Sequence, residues 1–107
     1  MSRANSVRGE IMQLADVLRL IAEHQEEIRR SGVRFLAVFG SVARGEAGPE
    51  SDVDILVEYD QSPGYFEFFD LEARLEEILG CSVDLFTPST LREEARTRIL
   101  KEAIRAA

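Results

Sequence analysis

Val38-Phe-Gly-Ser-Val-Ala-Arg-Gly-Glu-Ala-Gly-Pro-Glu-Ser-Asp-Val-Asp-Ile-Leu-Val-Glu58 is the stretch whose reading decides the fold. An apolar run is broken by Gly40-Ser41, a Gly48-Pro49 loop follows, and two aspartates open a second apolar run. Read as a β-strand, Asp52 to Tyr59 alternates with period two, so Asp52 and Asp54 go to one face and Val53, Ile55 and Val57 to the other. Two positions apart at about 3.3 Å of rise each, the carboxylates stand roughly 7 Å apart at Cα, a pair that wants cations between it. Upstream, Val33 to Phe39 is a continuous run rich in Val, Phe and Leu between glycines, the pattern of a strand buried on both faces. It delivers the chain to Gly40-Ser41. Ser41 to Gly45 is long enough for one helical turn, with Ser41 as N-cap and Gly45 as the stop. A helix start there leaves backbone N–H groups free around Gly40 and Ser41, a site for an anion, and glycine lets a phosphate come close. Taken alone, Gly-Ser after a strand is more often a simple turn.

Outward from this centre the pattern is helical. Ile11, Leu14, Val17, Leu18, Ile21 and Ile28 recur at helical spacing and predict an amphipathic helix over about 6–31, continuous or as two helices joined near Met12 to Asp16. Ser31-Gly32 ends it, with Arg29 and Arg30 suited to the C-terminal dipole. His24 lies among Glu23, Gln25, Glu26 and Glu27 and reads as part of a solvated face, not as a base. After the turn Asp60 to Gly64, the residues Phe66, Phe69, Leu71, Leu75, Ile78 and Leu79 form a second stripe ending at Gly80, its aromatics read as core. Ser82 to Thr87 is a third strand in which Asp84 interrupts apolar neighbours. Pro88-Ser-Thr90 opens a final helix over about 89–105, with Leu91, Ala95, Ile99, Leu100, Ala103 and Ile104 on one side, there to pack or to meet a partner. The order α, β, short α, β, α, β, α predicts an α/β (α+β) fold: one domain over 1–107, its core at 33–87, with a small mixed sheet of three or four strands flanked by helices.

At 107 residues the chain has room for one core. Hydrophobic residues at 45% and charged residues at 31% exclude the disordered and membrane classes. No run reaches the ~18 apolar residues of a spanning helix, and the N-terminus lacks a signal-peptide core, so the expected address is cytoplasmic. A lone Cys81 fits that address and reads as a small apolar residue at a strand entrance; no Cys/His cluster offers a zinc site. A net charge of −7 argues against broad nucleic-acid binding, and with Lys101 as the only lysine there is no P-loop.

If the second and third strands are neighbours, Asp52, Asp54 and Asp84 meet on one face. Three carboxylates gathered there repel unless cations neutralise them. All-oxygen ligands of this kind select hard ions, Mg²⁺ or Mn²⁺. Two such ions about 4 Å apart serve an in-line displacement at phosphorus. With a phosphate-binding turn across a short loop, the combination points to phosphoryl or nucleotidyl transfer, catalysed by positioning and charge.

Gly40-Ser41, ten residues, then Asp52-Val-Asp54 resembles the Gly-Ser-x₁₀-Asp-x-Asp signature of the DNA polymerase β-like nucleotidyltransferases. The wider text, from Phe39-Gly-Ser-Val-Ala-Arg-Gly-Glu46 through Val83-Asp-Leu-Phe86, is similar to the minimal nucleotidyltransferase (MNT) branch over nearly the whole chain. The resemblance implies that Asp52 and Asp54 bridge two Mg²⁺ ions and that Asp84 completes the site of the ion that activates the acceptor. It implies that Gly40 and Ser41 hold the β- and γ-phosphates of ATP. Arg44 would touch the triphosphate, or else pair structurally with Glu46 or Glu50. It implies transfer of AMP to a tyrosine of a partner HEPN-domain RNase toxin, with this chain as antitoxin. Two alternatives stand beside it: a module that neutralises the toxin by docking alone, and a small-molecule nucleotidyltransferase.

Overall fold

The computed structural model describes residues 12–107. Helix α1 (Leu14–Glu23) and helix α2 (Gln25–Arg30) lead into strand β1 (Val33–Phe39), followed at once by the five-residue helix α3 (Gly40–Arg44). Strand β2 (Val53–Tyr59), helix α4 (Tyr65–Leu79) and strand β3 (Val83–Phe86) come next. A 3₁₀ turn (Pro88–Thr90), helix α5 (Glu93–Glu102) and a two-residue strand β4 (Ile104–Arg105) complete the order. The strands form one mixed sheet in the order β3-β2-β1-β4. β1 runs antiparallel to β2 and β4, whereas β2 and β3 are parallel, joined by α4 as the crossover that a parallel pair requires. Among the described residues no helix is long and apolar enough to cross a membrane.

The period-two alternation divides the core between the two faces of the sheet. Val53, Ile55 and Val57 of β2 join Leu36 and Val38 of β1 and Val83 and Leu85 of β3 under Val17, Ile21, Ile28, Leu71, Leu75 and Leu79 of the first, second and fourth helices. The opposite face is smaller: Phe39 and Leu56 pack with Leu91 and Ile99, and Phe35, Phe86 and Ala95 border them. Phe39 and Phe86 meet edge to face at 5.4 Å between ring centroids, a favoured aromatic geometry. Asp54 and Asp84 stand two residues before Leu56 and Phe86 in their strands and so lie on this second face. Cys81 is free and packs partly buried beside the larger cluster.

Three elements differ from the expectation. The predicted start near residue 6, with Ile11, lies outside the described residues. Met12 and Gln13 are not helical and α1 opens at Leu14, within the span predicted for a joint, and a further, unexpected break falls at His24: His24 N–H bonds the Ile21 carbonyl at 3.0 Å while the ring nitrogen Nδ1 lies 2.9 Å from the Leu20 carbonyl. The side chain thus takes the acceptor that an uninterrupted helix would offer the His24 N–H. Phe66 and Phe69 are not core but exposed, at 77% and 46%. The stripe that α4 buries runs through Phe68, Leu71, Leu75, Ile78 and Leu79, and Phe66 sits five residues, about 140° of helical turn, from Leu71. Finally, the predicted helix over 89–105 is three pieces. Thr90 side-chain oxygen bonds the Thr87 N–H at 3.0 Å and closes a local 3₁₀ turn, Leu91 and Arg92 are extended, and the chain after Ala103 leaves the helix to pair with the open edge of β1. Leu100 and Ile104, expected on the packed side, are therefore exposed.

Candidate active site

Sheet register brings Asp54 and Asp84 together. In the parallel ladder Asp54 is paired with Asp84, and Val53 N–H donates to the Ser82 carbonyl at 3.0 Å, which pins the entry of both strands. Asp52 lies one residue before β2 rather than inside it, next to Asp84. Glu76, reaching from α4, accepts the Val83 N–H at 3.0 Å and fixes the start of β3.

Their electrostatics are those of like charges in a partly dry place. Burial, then the charges of Asp84 and Asp52, push the Asp54 carboxyl up to about 6, with Arg44 opposing and Glu102 adding to the shift. Asp84 is also raised, first by desolvation and then by Asp52, close enough to share a hydrogen bond with it. A hard divalent cation would relieve this repulsion, and three carboxylates are the oxygen donors such an ion selects. The donor set therefore fits. Among the described residues no three His, Cys, Asp or Glu side chains stand at the spacing of a metal shell.

Gly40 and Ser41 stand beside the carboxylates, because Phe39 is the β1 partner of Asp54 and α3 follows directly. Gly40 is buried, with φ of +77°, and a Cβ placed on it would lie 2.1 Å from Asp54 Oδ2. Glycine is needed here for its backbone conformation and for room. The space it leaves is filled by the Asp54 carboxylate, a use that a reading in terms of phosphate approach alone did not foresee. The helix cap is Phe39, not Ser41; Ser41 enters the first turn, and its carbonyl accepts the Glu46 N–H at 2.8 Å. Gly45 ends α3 in the left-handed region, as expected.

Arg44, in the last turn of α3, makes the expected ion pair with Glu46, Nε to Oε1 at 2.9 Å. It also pairs with a residue that the sequence did not single out. Glu102, from the last turn of α5, takes an Arg44 N–H at 3.2 Å and the backbone N–H of Gly40 at 3.1 Å through the same oxygen. These carboxylates hold the Arg44 guanidinium above its usual pKa, the hydrogen bond it donates to Glu46 most of all. Glu102 lies 62 residues from Gly40. Nothing local marks it, since one glutamate in a helix with Glu93 and Glu94 reads as a solvated position.

A family model described as nucleotidyltransferase domain matches residues 21–106. Protein adenylyltransferase MntA of Thermococcus cleftensis is 40% identical over 95 residues, covering 88% of this chain and 96% of that protein. A solved structure of a candidate minimal nucleotidyltransferase superposes with a TM-score of 0.75 at 34% identity, covering 87% of this chain and 95% of the other. A tri-AMPylated Shewanella oneidensis HEPN toxin in complex with MNT antitoxin matches with a TM-score of 0.60 at 18% identity, covering 90% and 72%. At that identity the last likeness speaks for the fold alone.

Proposed function

The chain belongs to the nucleotidyltransferase domain family, and from that premise we propose that it is the antitoxin of a HEPN toxin and transfers AMP from ATP to a tyrosine of that toxin. The observation that carries the reading is the Asp54–Asp84 register, which sets two carboxylates side by side next to Gly40, with Asp52 just ahead of β2. Asp52 and Asp54 would hold two Mg²⁺ ions in common, and Asp84 would complete the set on the acceptor side. When bound, such ions supply Lewis acidity at the α-phosphate and lower the pKa of the acceptor hydroxyl, so no histidine base is required.

The chain's own residues do the positioning. The Gly40 N–H, Ser41 and the Arg44 guanidinium hold the β- and γ-phosphates, donors of the kind that stabilise a developing pyrophosphate charge. Asp54, braced against Gly40 and fixed on a fully paired central strand, keeps the α-phosphorus in line with the acceptor. The acceptor hydroxyl loses its proton to water, its oxygen bonds to the α-phosphorus, the bond from that phosphorus to the bridging oxygen of the β-phosphate breaks, and pyrophosphate leaves.

Incubation of the purified chain with labelled ATP, Mg²⁺ and its HEPN partner labels the partner, and the Asp52→Asn/Asp54→Asn double variant, still folded by circular dichroism, does not. Absence of label with every nucleotide refutes the transfer reading.

One observation favours docking as a second contribution. Tyr65, Phe66 and Phe69 form an exposed aromatic group, with Tyr65 to Phe69 ring centroids 4.9 Å apart, among acidic residues such as Glu67 and Asp70. An apolar face rimmed with negative charge suits a basic RNA-cleaving partner. If the double variant protects cells from the toxin as well as the wild type does, docking is sufficient.

A further inference from the structure

The cradle assigned to the triphosphate already holds an anion, and that anion belongs to the chain. Glu102 Oε2 accepts the Gly40 N–H at 3.1 Å and an Arg44 N–H at 3.2 Å, with Oε1 3.5 Å from the same Arg44 nitrogen. Its side chain is 19% exposed against 40% for Arg44, so it lies beneath the guanidinium and is drawn in toward the turn. The position is built by two elements. Glu102 closes α5, and pairing of Ile104 and Arg105 with Val38 and Ala37 brings it to the end of β1, next to Gly40. Glu102 adds to the negative charge around Asp54, so what holds it there is the pair of donors rather than the surroundings.

We propose that Glu102 sets the affinity and selectivity of the site for polyphosphate: its carboxylate stands where a phosphate of the nucleotide docks and has to be displaced first. The inference rests on Gly40 and Arg44 being the triphosphate cradle. A carboxylate offers one charge to the two donors, whereas a chain of phosphates offers several charges and more acceptor oxygens, so the β- and γ-phosphates of ATP displace Glu102, while AMP, which ends at the α-phosphate, does not reach these donors and leaves Glu102 in place. The displaced carboxylate has a second partner at hand: Arg98, one helical turn back, is 3.9 Å away.

Calorimetric titration of the purified chain with ATP, ADP and AMP in Mg²⁺ tests this, with the wild type, Glu102→Gln, Glu102→Asp and Arg44→Ala side by side. Glu102→Gln, which removes the charge and keeps the shape, binds ATP about tenfold tighter, the lower end of what a charge-assisted hydrogen bond contributes. The gain shrinks from ATP through ADP to AMP, and Glu102→Asp, its carboxylate withdrawn by one methylene, falls between. Loss of a residue that only propped up Arg44 would weaken ATP binding rather than tighten it. If the wild type binds ATP, Arg44→Ala weakens that binding and Glu102→Gln leaves it unchanged or weaker, the role of Glu102 is overturned and the cradle stands. If neither the wild type nor any Glu102 variant binds a nucleotide, both are overturned.

Discussion

Replacing Gly40 by alanine separates two demands that the structure makes of one residue. Gly40 and Gly45 flank the same short helix at nearly the same positive φ, +77° and +75°. Nothing lies within 4 Å of a Cβ at Gly45, whereas a Cβ at Gly40 falls 2.1 Å from Asp54 Oδ2, 3.0 Å from its Cγ and 3.3 Å from its Cβ. Gly45→Ala therefore costs only the left-handed backbone, about 1–2 kcal/mol. Gly40→Ala costs that and also the expulsion of the Asp54 carboxylate, for which overpacking adds about 1–3 kcal/mol. The excess belongs to Oδ2 and Cγ, so it vanishes when Asp54 is itself alanine, because the remaining 3.3 Å contact is one that small shifts relieve. Urea unfolding of the wild type, the three single variants and Gly40→Ala/Asp54→Ala measures all of this in one cycle. The expected coupling between positions 40 and 54 is about 1–3 kcal/mol. Equal costs for Gly40→Ala and Gly45→Ala, or a Gly40→Ala cost unchanged in the Asp54→Ala background, refute the steric account.

The raised Asp54 carboxyl predicts a pH dependence in chelator, without divalent cations. Its folded value of about 6 lies above the ordinary carboxylate value of 3.8, so between them the native state binds more protons than the unfolded state, and this group's contribution to stability falls as pH rises through that window. Asp54→Asn should flatten the thermal midpoint against pH from 4 to 6 and raise it at pH 8; a slope identical to that of the wild type contradicts the assignment. In the core, Leu75 is fully buried beneath the sheet and Leu100 is 48% exposed. Leu75→Ala should therefore cost about 2–5 kcal/mol, and Leu100→Ala under about 0.5 kcal/mol, both by urea denaturation. Comparable costs would contradict the placement of α5.

What the sequence made legible was local or periodic. Gly40, Asp52, Asp54 and Asp84 stood out by residue type and by the short spacer between the turn and the paired aspartates, and the adjacency of β2 and β3, a condition of that reading, is met by the parallel ladder. Other features depended on distant partners. A two-residue strand has no periodicity to read, and Ile104 pairs only because β1 offers it an open edge. In α4 several neighbouring aromatics supply more than one apolar stripe, and the sheet buries the one through Phe68 rather than those through Phe66 and Phe69. The break at His24 turns on a ring nitrogen reaching a carbonyl, which composition does not reveal. Glu102 escaped notice because its meaning comes from Gly40 and Arg44, brought to it only by the pairing of β4 with β1.

The pairing of Asp54 with Asp84 also makes the α4–β3 connection a counting device. Side chains of a strand change faces at every residue, so one residue added or lost among Gly80, Cys81 and Ser82, with the ladder shifting to absorb it, would turn Asp84 into the apolar layer and bring Val83 or Leu85 out to replace it. A change of two preserves the face and slides the carboxylate along the strand by about 7 Å. Length variation in this connection is thus governed by parity: odd changes strike the core and the chemistry together, whereas even ones leave the core's alternation intact and only misplace the charge.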